Sequence, residues 1–92
     1  MAGPLTFGVV DQSPLREGGT AADALRESVK LAQAAEAAGY ARYWVAEHHN
    51  ASSWAGTSPE LLIGQIAAAT ATIRVGSGGV MLSHYSALKV AE

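Results

Sequence analysis

Three β-favouring runs alternate with helix-forming runs along this chain, and that alternation limits the available folds more than any other feature. Leu5 to Val10 reads as a first strand, ended by Asp11-Gln12-Ser13-Pro14. Arg42 to Glu47 reads as a second strand and Ile73 to Ser77 as a third, which runs on into Gly78-Gly79-Val80-Met81-Leu82. Between the first two, Ala21 to Ala38 is rich in Ala, Leu, Glu and Gln, all good helix formers. Thr20 suits the N-cap, with Asp23 as a short-armed capping-box partner. Gly39 stands where a helix C-terminus favours a residue at positive φ. Leu25, Val29, Ala32 and Ala35 recur at helical spacing and predict the buried stripe. Ser58-Pro59 opens a second helix, with Leu62, Ile63, Ile66, Ala67 and Thr70 as its inward face. A third helix begins near Ser86. The order β-α-β-α-β-α, in units of about 30 residues, implies βαβ crossovers and a parallel sheet. Doubly wound sheets and eight-stranded barrels both fit, and periodicity does not choose between them.

Ninety-two residues allow at most one domain. A chain of this size buries about 60–65% of its unfolded surface. Hydrophobic residues make up 49% and charged residues 15%, which is apolar for a small domain that must cover its own surface. Ser86 to Glu92 reads as a helix without a C-cap, so the expectation is the N-terminal part of a longer protein. Net charge is −2, with the six basic residues scattered, unlike the basic stripe of a nucleic-acid binder. The absence of cysteine excludes disulfides and thiolate chemistry from these residues. No signal peptide and no run of about 18 apolar residues is present, which leads to the expectation of a cytoplasmic, soluble protein.

The chemistry gathers where strands end. Tyr43-Trp44-Val45-Ala46 is apolar, and Glu47-His48-His49-Asn50 follows it directly. Parallel sheets place their working groups at such C-terminal strand ends. Adjacent residues on a strand point to opposite faces, so Glu47, His48 and His49 cannot share one site unless the strand has already ended. Neither helical H-E-x-x-H nor strand H-x-H spacing is present, which argues against zinc. Two readings stand: acid–base or hydrogen-bonding work at a strand end, or a rim cluster that orders the following loop. Asp11 sits at the first strand's end, either as a loop anchor or as a site residue. Ser13, Ser52 and Ser53 lack the context of an exposed nucleophile. Tyr43 and Trp44 read as packing residues. Trp54 either covers a pocket or packs on its own loop.

Gly76-Ser77-Gly78-Gly79 is not a dinucleotide fingerprint, because Met81 occupies the last glycine position, and no Gly-Lys-Ser/Thr follows. Glycines here permit close approach by a flat ring, or simply make a turn.

Taken together, Asp11-Gln12-Ser13-Pro14, Tyr43 to Asn50 and Arg74 to Leu82 resemble the bacterial luciferase-like monooxygenase family, and in particular its single-chain flavin-dependent members. The resemblance implies the N-terminal β-α-β-α-β portion of a TIM (β/α)8 barrel, with its pocket at the C-terminal mouth. It implies reduced FMN as cofactor, or a deazaflavin coenzyme in one branch, and oxidation of a small organic substrate with O2. The family's important first histidine of Glu-His-His matches His48. Its non-proline cis peptide beside the ring matches Gly78-Gly79. By the same resemblance Gly78, Gly79 and Met81 would line the ring, with Glu47 and Asp11 on the rim. Ser83 and Ala87 depart from the pattern, since many members carry proline at those positions. Loops from later strands, absent here, commonly hold the phosphate. The expectation is therefore a flavin-dependent monooxygenase supplied by a separate reductase, since no nicotinamide fingerprint is present, with no nucleic-acid or membrane partner. A deazaflavin-dependent dehydrogenase on the same barrel is one rival. An inactive self-associating fragment, a homo-oligomer held by its open strand edges, is another.

Overall fold

A computed structural model describes residues 4–92. It contains three parallel strands in the order β1-β2-β3: Gly8–Asp11, Arg42–Val45 and Arg74–Ser77. Helices α1 (Ala21–Ala37) and α2 (Pro59–Ala69) connect them, and a 3-10 turn at Leu82–His84 leads to α3 (Ala87–Ala91). Val10, Trp44 and Gly76 lie side by side across the sheet, as do Gly8, Arg42 and Arg74 one pleat earlier.

The caps explain where α1 starts and stops. Thr20 accepts from the Asp23 N–H and the Asp23 carboxylate accepts from the Thr20 N–H, completing the expected capping box. At the other end Gly39 adopts φ +89°, its N–H donates to the Glu36 carbonyl, and the Tyr40 N–H donates to the Ala35 carbonyl. That pair of bonds is a Schellman motif, which a residue with a Cβ would strain. Ala38 is consequently the cap and not the last helical residue. The Ser86 hydroxyl caps α3 by accepting from the Lys89 N–H.

One core serves both helices. Ala32 and Ala35 of α1, Leu62 and Ile66 of α2, and Tyr43 and Val45 of β2 bury into a single cluster with Ile73. Tyr43 and Val45 share a strand face, so both helices cover that face and leave the other bare. The bare face carries Val10, 70% exposed, and the half-exposed Trp44. Sequential strand order with helices on one side is how β/α barrels are wound; a doubly wound sheet would carry helices on both sides. The structure thus makes the choice that periodicity left open.

Several boundaries differ from the sequence-based expectation. The first strand is Gly8–Asp11 and not Leu5–Val10, because its neighbour begins at Arg42 and offers Leu5 and Thr6 no ladder partner. The second strand stops at Val45, two residues before Glu47, where its pairing with β1 ends. Ile73 precedes β3 because its N–H is taken by the Glu36 carboxylate. On α1 the buried stripe is Ala24, Ser28, Ala32 and Ala35, while Leu25 and Val29 are half-buried; on α2, Ala67 is exposed. Among the described residues no helix is long and apolar enough to cross a membrane.

Glu36 ties the end of α1 to the start of β3. Its Oε2 accepts from the N–H groups of Ala71, Thr72 and Ile73 at 2.8, 2.6 and 3.0 Å. Those backbone bonds, that from Ile73 foremost, hold the carboxyl down at about 2.

Candidate active site

Because the strands are parallel, the segments after β2 and β3 leave the sheet at the same end, and the Gly78 N–H donates to the Val45 carbonyl at 2.8 Å. His48 and Gly78 therefore share one rim. A cleft of about 590 Å³ opens there, lined by Val10, Trp44, Glu47, Gly78, Gly79 and Met81 among others. A Cβ placed on Gly79 would meet nothing within 4 Å. The cleft wall at this point is bare backbone beside an indole and a thioether.

Once the strand has ended at Val45, Glu47 and His49 project to one side and His48 to the other. The Glu47 side chain is 1% exposed, and its Oε2 meets His49 Nε2 at 2.5 Å. Its Oε1 accepts from the Met81 N–H at 3.2 Å and the Tyr85 hydroxyl at 3.3 Å. The His49 bond, outweighing burial, keeps the Glu47 carboxyl below its ordinary range. Glu47 thereby fastens the loop after β3 to the tip of β2. Tyr85 also reaches Glu60 at 3.2 Å, and burial followed by these carboxylates raises its phenol to about 12. The His49 and His84 rings lie 4.4 Å apart.

His48 turns away from that group. Its N–H donates to the Gly56 carbonyl, and its ring stacks on Trp54 at 4.6 Å and 24°. Its Nε2 is buried and has no hydrogen-bond partner. A buried ring nitrogen normally finds one, and none of the described residues supplies it here.

Asp11 lies behind the cleft and does not line it. It is 6% exposed; one oxygen accepts from the Ser13 N–H at 2.8 Å and the other from the Tyr43 hydroxyl. The Ser13 and Ser28 hydroxyls bond at 2.7 Å, and Tyr43 also reaches the Ser28 carbonyl. Ser13 at φ 50° turns the chain so that its carbonyl accepts from the Ala55 N–H, while the Leu15 N–H donates to the Ser53 carbonyl. The loop after β1 is thus zipped to the loop bearing Trp54, with Pro14 and Trp54 in an antiparallel bridge. Sequence reasoning missed Ser28 and the Tyr43 hydroxyl. The available signal was parity: Tyr43, Val45, Val9 and Asp11 all point to the helix side.

The Gly78-Gly79 peptide is trans, and among the described residues no peptide is cis, contrary to the expectation from the resemblance. With open space around Gly79, nothing here opposes the ordinary trans preference. Among the described residues no group of His, Asp and Glu side chains is arranged to hold a metal ion.

A family model for luciferase-like monooxygenases matches residues 5–92. The chain belongs to that family. An N-acetyl-S-alkylcysteine monooxygenase of Bacillus subtilis is 58% identical over 88 residues, which is 96% of this luciferase-like chain and 26% of the relative. The solved structure of apo-MsnO8 matches at 53% identity and TM-score 0.91, again over 96% of this chain and 26% of the other. The oxygenating constituent of 3,6-diketocamphane monooxygenase from Pseudomonas putida, a type II Baeyer–Villiger enzyme in complex with FMN, matches at 26% identity and TM-score 0.86, over 96% and 24%. This luciferase-like chain therefore spans about a quarter of the length of the relatives it matches.

The cleft of the luciferase-like chain fits one wall for a flat ring. Glycine backbone, the indole of Trp44 and the thioether of Met81 supply contact area without steric bulk. No Lys or Arg lines it, so it offers no cationic side chain to a phosphate.

Proposed function

We propose that this chain forms the first three strands of a luciferase-like β/α barrel, that the barrel uses reduced FMN and O2 to oxidise a small organic substrate, and that a separate reductase supplies the reduced flavin. The observation that carries the reading is the open glycine wall at the tips of β2 and β3, on the rim that also bears a buried, unpartnered His48 nitrogen. The family match and the FMN-bound relative support it.

When bound, FMN supplies the electrons and the site of oxygen activation. This chain's own residues position and shield. Gly78 and Gly79 let the ring approach the backbone, and Met81 and Trp44 exclude water from one side. Glu47 holds Met81 in place through its N–H and keeps the following loop against the barrel rim. His48 keeps the proposed proton-handling role from the rim beside the cleft wall, where Trp54 stacking and its backbone N–H bond to Gly56 hold its ring. Asp11 acts from behind, fixing Tyr43 and the loop that carries Trp54. The phosphate would be held by loops from strands beyond this chain.

The test is an anaerobic titration of the longest natural chain carrying this sequence with photoreduced FMN, followed by fluorescence quenching. Saturable binding is expected, tighter than for the deazaflavin coenzyme. No saturation with either oxidised or reduced FMN would end the proposal.

A further inference from the structure

The bare face of the sheet holds a charge problem at the end opposite the cleft. Arg42 and Arg74 are direct neighbours in the β2–β3 register, each at the first position of its strand. Parity puts both side chains on the face shared by Trp44 and Gly76, away from the helices. The close approach of a Gly8 Cβ to Arg42 Cβ (3.7 Å) and to the Trp44 indole (3.7 Å) confirms that face for Arg42. Like charges directly opposite one another on a strand pair are destabilising. Among the described residues neither guanidinium lies within 4.0 Å of a carboxylate: the ion pairs use Arg16, Arg26 and His49. Glu36 and both arginines border a second cleft at this end, but the Glu36 Oε2 is committed to the Ala71, Thr72 and Ile73 N–H groups and makes no ion pair with either arginine.

Resting on the barrel reading above, we propose that Arg42 and Arg74 form a docking point for one carboxylate, an Asp or Glu borne by another strand that closes over the bare sheet face at its N-terminal end. Charge complementarity identifies the occupant. Two adjacent guanidinium groups offer up to ten N–H donors to a region that an apolar layer of Val10 and Trp44 separates from the cleft. Once the sheet is covered, two unpaired cations there would be costly, whereas a shared carboxylate neutralises one charge and accepts hydrogen bonds from both guanidinium groups. The ion-binding work lies at the base of the barrel, where side-chain roles concern stability rather than catalysis.

The sign of a mutational effect tests this. In the longest natural chain, Arg42→Met and Arg74→Met keep much of the aliphatic volume and remove the charge. With a docked carboxylate, each replacement lowers the folding equilibrium constant at least about tenfold, since the carboxylate loses a charge-assisted hydrogen-bonding partner. Arg→Lys at the same positions retains folding and recovers most of that loss. Without the carboxylate, removing one of two like charges leaves stability unchanged or raises it, and that result overturns the proposal. Equal losses for Met and Lys variants overturn it too, because they indicate shape and not charge. Stabilisation of the wild type that grows with added inorganic phosphate, and vanishes in the Met variants, assigns the pair to a free anion and also overturns it. FMN titration of the Lys variants reports separately on the flavin reading, so the two can fail independently.

Discussion

Replacing Tyr43 by Phe removes a single oxygen from the largest fully buried side chain of the core, and the geometry defines what is lost. Tyr43 is 0% exposed, and its hydroxyl is donated to an Asp11 carboxylate that is itself 6% exposed. Burial, followed by that carboxylate, pushes the phenol well above its ordinary value, so it remains a donor throughout the working pH range. A hydrogen bond to a charged group contributes about 1.5–3 kcal/mol, and the orphaned carboxylate oxygen adds its own desolvation cost. The ring itself remains, so no cavity beyond one oxygen forms. The expected loss for Tyr43→Phe is therefore about 2–3 kcal/mol, read as the shift in urea unfolding midpoint multiplied by an unchanged m-value. The cycle with Asp11→Ala isolates the pair: the double variant should be less destabilised than the sum of the singles by about 1.5 kcal/mol or more. Additivity within about 0.5 kcal/mol would refute the reasoning, because it would mean that the two groups do not meet in solution.

Three further outcomes follow from the same geometry. Gly79→Val should leave the unfolding free energy within about 0.5 kcal/mol, because nothing occupies the space its side chain enters; it should nevertheless weaken FMN binding at least tenfold, read by fluorescence titration, if the ring lies on this backbone. Glu36 carries a depressed folded value of about 2 against an ordinary 4.5, so its contribution is complete above about pH 4.5 and is lost as pH falls towards 2. Glu36→Gln should accordingly lower the unfolding midpoint most at neutral pH, with the gap to wild type narrowing through that window. Thr20→Ala removes the side-chain half of the capping box, leaving the Thr20 N–H bond to Asp23 in place, and should cost about 1 kcal/mol by urea unfolding.

The parts of the fold that rest on local chemistry were legible in the sequence. Thr20, Asp23 and Gly39 bracket α1 because caps are made within a few residues of the backbone they serve. Strand ends were less legible, because a strand lasts only as long as its neighbour: Leu5 looks like a strand residue but has no partner on β2. In the site, Glu47, Gly78, Gly79 and Met81 come together as the order of strand tips implied. Asp11 and His48 do not join that wall, and the reasons are tertiary. Asp11 is drawn inward by Tyr43, whose hydroxyl sits thirty-two positions later in sequence. His48 is drawn towards Trp54 by a loop that folds back through Gly56. Neither partnership has a local signature, and the strand parity that could have shown the first requires knowing which face the helices cover.

A planar redox ring is expected to seat against the tips of β2 and β3. A crystal structure of the longest natural chain carrying this sequence, soaked with FMN, tests that most directly. The predicted result is an isoalloxazine in van der Waals contact with the Gly78-Gly79 backbone and Met81, on the rim that carries His48. Flavin bound elsewhere on the molecule, with those strand tips filled by the protein's own side chains, would contradict it.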